Sequence, residues 1–100
     1  MNSVTVISLL QQHRFELAEF GVQTLSLVGS VAREEATSRS DVDLAVQLYP
    51  GKRGFDHLDR MDRLKERLSE ILGCPVDLIE EPTRSPRLQR AIEQDRVLAF

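Results

Sequence analysis

Two short alternating apolar runs, Thr24–Val28 and Val42–Leu48, are bounded by residues that a strand interior avoids. Gly29-Ser30 closes the first run, and Asp41-Val42-Asp43 opens the second, with ten residues between Ser30 and Asp41. Residues i and i+2 of a strand face the same side, so Asp41 and Asp43 offer paired carboxylates, the oxygen donors that hard divalent cations take. Glycine has no side chain to hold a phosphate off. A serine hydroxyl and the N–H groups of a following helical turn donate to anionic oxygens. If the Gly-Ser bend is to meet the acids, the end of the first strand must lie beside the start of the second. The two strands then run antiparallel.

A third acid extends the constraint. Asp77 lies in Val76-Asp77-Leu78-Ile79, which reads as a strand. To bring Asp77 to the same corner, this strand must run parallel to the second. The connection of about 27 residues between them is long enough for a right-handed crossover through a helix. The remaining segments fit around this frame. Val4 to Phe20 carries Val6, Ile7, Leu10, Leu17 and Phe20 mostly at helical spacing, with Ser3 as N-cap and Gly21 as stop. Val31 to Glu35 reads as a short helix. Asp56 to Leu72 is a longer one, with Leu58, Met61, Leu64, Leu68, Ile71 and Leu72 as its stripe and Gly73 and Pro75 as its end. A last helix spans Ser85 to Asp95 with Pro86 at its first position, and the apolar tail Val97–Phe100 should dock back. The predicted fold is α/β (α+β) in the order α-β-α-β-α-β-α: a small three-stranded mixed sheet with flanking helices, forming one domain over 1–100.

Composition narrows the function classes. The chain is 41% hydrophobic and 29% charged, without an apolar stretch near the roughly 20 residues of a membrane span and without a secretory pattern at its start. A single cysteine, Cys74, lies between Gly73 and Pro75; it is read as a structural thiol suited to a reducing cytoplasm. The net charge of −3 argues against direct nucleic-acid binding. Arg84, Arg87 and Arg90 at spacing three read as a solvated helix face or as a surface for an anionic partner or a nucleotide phosphate.

Transfer at a nucleotide α-phosphate needs a grip on the triphosphate, metal ions to neutralise charge, and an acceptor hydroxyl that is aligned and deprotonated. Gly29 and Ser30 suit the first task. Asp41 and Asp43 suit the second, and Asp77 could complete a metal site or take the acceptor's proton. Each part alone is ordinary turn or strand-edge chemistry; it is their convergence that points to catalysis. Arg33 and Arg39 flank the site and either could contact phosphate. His13 reads as a helix-face residue, His57 as structural, and Tyr49 as a packing residue with base stacking as its alternative.

Val28-Gly29-Ser30-Val31-Ala32-Arg33, followed by Ser40-Asp41-Val42-Asp43-Leu44, resembles the Gly-Ser-x10-Asp-x-Asp signature of the polymerase-β-like nucleotidyltransferases. The chain as a whole resembles their minimal nucleotidyltransferase (MNT) branch, with Asp77 matching the third acid. Where the family often has glycine after the arginine matching Arg33, this chain has Glu34, an acid that must point away from a triphosphate. The resemblance implies a polymerase-β-like fold and an antitoxin that transfers AMP from ATP, with Mg²⁺, to a tyrosine of a HEPN-domain ribonuclease toxin in a hetero-oligomer. It implies Asp41, Asp43 and Asp77 as catalytic and metal residues and Gly29, Ser30 and Arg33 as nucleotide-binding residues. The alternatives are an antitoxin that acts by occlusion alone and a nucleotidyltransferase with another acceptor.

Overall fold

The computed structural model describes residues 2–35, 41–50 and 55–100. The chain begins with two helices, α1 (Ser3–Gln12) and α2 (Arg14–Glu19), where the periodicity predicts one. The break falls at His13, whose ring bonds the Leu9 carbonyl at 2.9 Å while its backbone leaves helical geometry at φ −103° and ψ 15°. A side chain that takes over the i−4 carbonyl competes with the helical ladder. His13 is thus a junction, not a helix-face residue. The N-cap also moves by one residue: the Asn2 side chain accepts from the Thr5 N–H at 2.9 Å, leaving Ser3 inside the helix with its hydroxyl free for another use.

After α2 come β1 (Val22–Val28), α3 (Gly29–Ala32), β2 (Val42–Leu48), α4 (Phe55–Leu72), β3 (Val76–Glu80), α5 (Pro86–Asp95) and β4 (Val97–Leu98). The sheet order is β3-β2-β1-β4, with β1 antiparallel to β2 and β3 parallel to β2, the mixed arrangement expected. The sheet has four strands rather than three. The docking tail supplies the fourth: Val97 and Leu98 pair antiparallel with Leu27 and Ser26, and the Ala99 N–H donates to the Leu25 carbonyl at 2.8 Å. Two paired residues are too short a run to show a strand period in the sequence.

Alternation along the strands divides the core into two faces. Leu25, Leu27, Val42, Leu44, Val46 and Val76 turn one way and pack with Val6, Leu10, Leu17, Leu64, Leu68 and Leu72 of the helices, all at 4% exposure or less. Leu58, predicted for the same stripe, is 60% exposed at the first turns of α4 and lies outside this cluster. On the opposite face Val28, Ala45 and Ile79 pack under Ile92, so α5 alone covers that side among the described residues. Ser85 caps α5 by accepting from the Leu88 N–H at 3.2 Å, and Pro86 takes its first turn, as the sequence predicts.

One charged group is buried under α5. The Glu81 side chain, with no solvent exposure, accepts from both terminal nitrogens of Arg96 and from the Gln89 amide at 2.9 Å. Arg96 also donates to Ser26 at 3.2 Å, tying the ends of β3 and α5 to the middle of β1.

Candidate active site

Gly29 is the first residue of α3 and has φ +74°, a left-handed conformation that side chains resist. Its open side faces an acid. A Cβ built there would lie 2.2 Å from Asp43 Oδ2 and 3.0 Å from Asp43 Cγ, so only hydrogen fits between the backbone bend and the carboxylate. The β1–β2 register explains the meeting, because Val28 pairs with Asp43 across the antiparallel ladder. Ser30 follows, half-buried in α3. The residue before the helix, Val28, has no side-chain oxygen to cap it, so the first N–H groups of α3 receive no side-chain acceptor.

The parallel ladder aligns Asp43 with Asp77, and alternation puts both on the face of Ala45 and Ile79. Asp41 precedes β2 and is exposed, as is Asp77; Asp43 between them is half-buried. Burial raises the Asp43 carboxyl above the ordinary carboxylate range, as do the charge of Asp77, a hydrogen bond shared with Asp77, and the charge of Asp41; Arg33 pulls the other way. Asp43 and Asp77 therefore meet directly, while Asp41 acts on them through its field. Among the described residues no three acid, histidine or cysteine side chains close around a single point as a finished metal cage. The donor chemistry still fits a hard cation, since crowded carboxylates with a strained protonation balance are relieved by positive charge.

Arg33 caps the C-terminus of α3, and its charge is felt at Asp43. Its Nε donates to Glu35 at 3.1 Å and its Nη1 to Asp95 of α5 at 2.7 Å. Asp95 could not be found from the sequence, because its link to Arg33 is a contact between distant helices. Glu34 has φ 59°, unusual for a residue with a Cβ; the position has the left-handed geometry that glycine adopts without strain. Its carboxylate bonds the Ser3 hydroxyl on α1 and so points away from the acids. Arg39 lies outside the described residues.

Other candidates fall away from the site. Tyr49 is 56% exposed, so it is not the packing residue expected. It follows the far end of β2, about 20 Å along the strand from Asp43, too far for stacking on a base held there. His57 joins α4 to β3, donating to Glu80 at 2.7 Å and accepting from Arg60 at 3.3 Å, consistent with the structural role expected. Cys74 is half-buried, and burial with the nearby Asp41 charge raises its thiol pKa, which suits an inert thiol. Arg87 and Arg90 lie exposed on α5, but Arg84 stands before that helix, so the stripe is shorter than its spacing predicts.

The family model described as "Nucleotidyltransferase domain" matches residues 10–99. A Thermococcus cleftensis relative named protein adenylyltransferase MntA is 32% identical over 91 residues, covering 90% of this chain and 88% of its own length. A solved structure provisionally called a minimal nucleotidyltransferase is 31% identical, with a TM-score of 0.79 over 97% of this chain and 95% of that one. The fold also matches a chain of a Shewanella oneidensis complex of tri-AMPylated HEPN toxin with MNT antitoxin, at 20% identity and TM-score 0.63, over 94% of this chain and 71% of that one.

Proposed function

The chain belongs to the nucleotidyltransferase domain family, and from that premise we propose that it is a Mg²⁺-dependent protein adenylyltransferase that moves AMP from ATP to a tyrosine of a cognate HEPN toxin. The observation that carries this reading is the contact between Gly29 and Asp43, whose ladder partner on β3 is Asp77. A triphosphate lying on a side-chain-free bend would have its reacting phosphate next to two carboxylates. The names of the Thermococcus relative and of the Shewanella complex support the same reaction and the same kind of partner.

In this reading Gly29 lets the triphosphate approach the backbone, and the Ser30 hydroxyl and the uncapped N–H groups of α3 donate to its oxygens. Arg33 adds a charge-assisted contact. Asp43 and Asp77, with Asp41, would hold Mg²⁺, which supplies charge neutralisation for the triphosphate and the leaving pyrophosphate. The acceptor tyrosine oxygen forms a bond to the α-phosphorus. The bond from that phosphorus to the bridging oxygen of the β-phosphate breaks, pyrophosphate leaves, and the tyrosine proton passes to a carboxylate, for which Asp77 is the candidate. Asp77 lies on β3, the edge strand of the sheet, so another chain's side chain can approach from the unpaired side. Glu34, the residue that would favour an antitoxin working by occlusion alone, is engaged with Ser3 instead of crowding the site.

The test is intact-mass spectrometry of the cognate HEPN partner after incubation with the protein, ATP and Mg²⁺. The partner is expected to gain mass in whole adenylyl units on tyrosine, and the double variant Asp41→Asn, Asp43→Asn to add none while remaining folded. A partner that is inhibited but unmodified, or full transfer by the double variant, overturns the assignment.

A further inference from the structure

Arg33 is held by two carboxylates of unequal standing. The Glu35 side chain is 65% exposed, whereas Asp95 is 24% exposed and makes the shorter contact, 2.7 Å against 3.1 Å. The placement of Asp95 is fixed from elsewhere. It stands at the last position of α5, three residues after Ile92, which is 2% exposed and packed on Val28, Ala45 and Ile79, the sheet face that carries Asp43 and Asp77. The helix packed on that sheet face thus delivers, at its end, the carboxylate that grips Arg33.

A guanidinium has five N–H donors. Glu35 takes the one on Nε and Asp95 takes one on Nη1, while Nη2 makes no hydrogen bond among the described residues. Backbone geometry fixes the base of the side chain, because Arg33 caps α3 one turn after Gly29. With base and tip both constrained, the guanidinium is held instead of sampling the rotamers open to an exposed arginine.

We propose that Asp95 is a positioning residue: it holds the Arg33 guanidinium, one helical turn after Gly29, for an anion on the Gly29–Ser30 bend. This rests on the nucleotide-site reading above and adds to it a residue of α5 that touches neither phosphate nor metal. Two effects of Asp95 oppose each other. Its negative charge disfavours a nearby triphosphate, but the charge is partly solvated and already paired with Arg33. Its grip on Arg33 favours binding by reducing the ordering cost of a charge-assisted contact.

The experiment measures the dissociation constant for Mg·AMP-PNP by calorimetry, without turnover or partner, in the native chain and in Arg33→Ala, Asp95→Ala, Asp95→Asn and the double alanine variant, with Tm recorded for each. Arg33→Ala should weaken binding about tenfold. Asp95→Ala should weaken it about threefold to fivefold, in line with a lost positioning contact. Asp95→Asn, whose amide oxygen still accepts from Nη1, should stay within about twofold of the native value. The double variant should be no weaker than Arg33→Ala alone. Binding by Asp95→Ala equal to or tighter than native overturns the proposal. So does an unchanged Asp95→Ala effect when Arg33 is already alanine, since Asp95 would then act through the fold. A native chain that binds no nucleotide overturns the nucleotide-site reading and this proposal together; native binding with an inert Asp95 overturns this proposal alone.

Discussion

Asp43 is where the demands of folding and of chemistry collide. Its carboxyl pKa is raised, chiefly by burial and then by Asp77. A group whose folded pKa exceeds its unfolded value contributes stability while protonated, and that contribution is lost as pH rises through the folded pKa. At neutral pH the ionised Asp43 therefore costs the fold stability. Asp43→Asn should raise Tm by a few degrees at pH 7, a gain that shrinks as the pH falls toward the ordinary carboxylate range. Added Mg²⁺ should raise the Tm of the native chain and leave the variant's nearly unchanged. Thermal scans across pH with and without metal check both; a variant less stable than native at pH 7 would contradict the account. At this scale the sequence was informative. The spacing from Gly29 to Asp43 predicted the meeting that the strand register delivers. The Arg33–Asp95 pair was invisible, because nothing local ties residue 33 to residue 95. Glu34 was visible as a departure, but its left-handed backbone and its bond to Ser3 were not.

Among elements, α5 and the strand after it do more than close the fold. Arg96 stands between them and meets the fully buried Glu81 side chain, so removing the cation leaves a carboxylate in an apolar setting with only an amide donor. Arg96→Ala should cost about 3 kcal/mol, measured by urea unfolding. Arg96→Ala combined with Glu81→Gln should recover part of that loss, since the charge no longer needs a partner. Helix and strand identities were largely readable from period: 3.6 along α4, two along β2, and Gly73 at a positive φ after α4, as its stop position predicts. The misreadings share a physical cause. His13 broke a helix through a side-chain bond, and β4 became a strand only because β1 offered an edge. Neither event leaves a periodic trace in a single chain.

For the molecule as a whole, the sheet separates two tasks. The face against α1, α2 and α4 holds the larger apolar cluster, including Leu64 and Leu68 at 0% exposure. The face under α5 is thinner and holds the acids beside Val28, Ala45 and Ile79. The larger core and the acid pair thereby lie on opposite sides of the sheet. Leu68→Ala should cost about 2–5 kcal/mol in chemical denaturation. In whatever fraction stays folded, the nucleotide dissociation constant should be nearly native, and a parallel tenfold loss of affinity would show that the two faces are not independent.

The parallel pairing of β3 with β2 has a consequence during synthesis. Gly29 and Asp43 leave the ribosome well before Asp77, and the long α4 segment emerges between them. A nascent chain that has made β1, α3 and β2 owns the bend, Asp41 and Asp43 but lacks Asp77, and α5 with its clasp on Arg33 arrives later still. The acid pair and the Arg33–Asp95 contact therefore come together only after α4 and α5 have been made, and a chain that stops before β3 has neither.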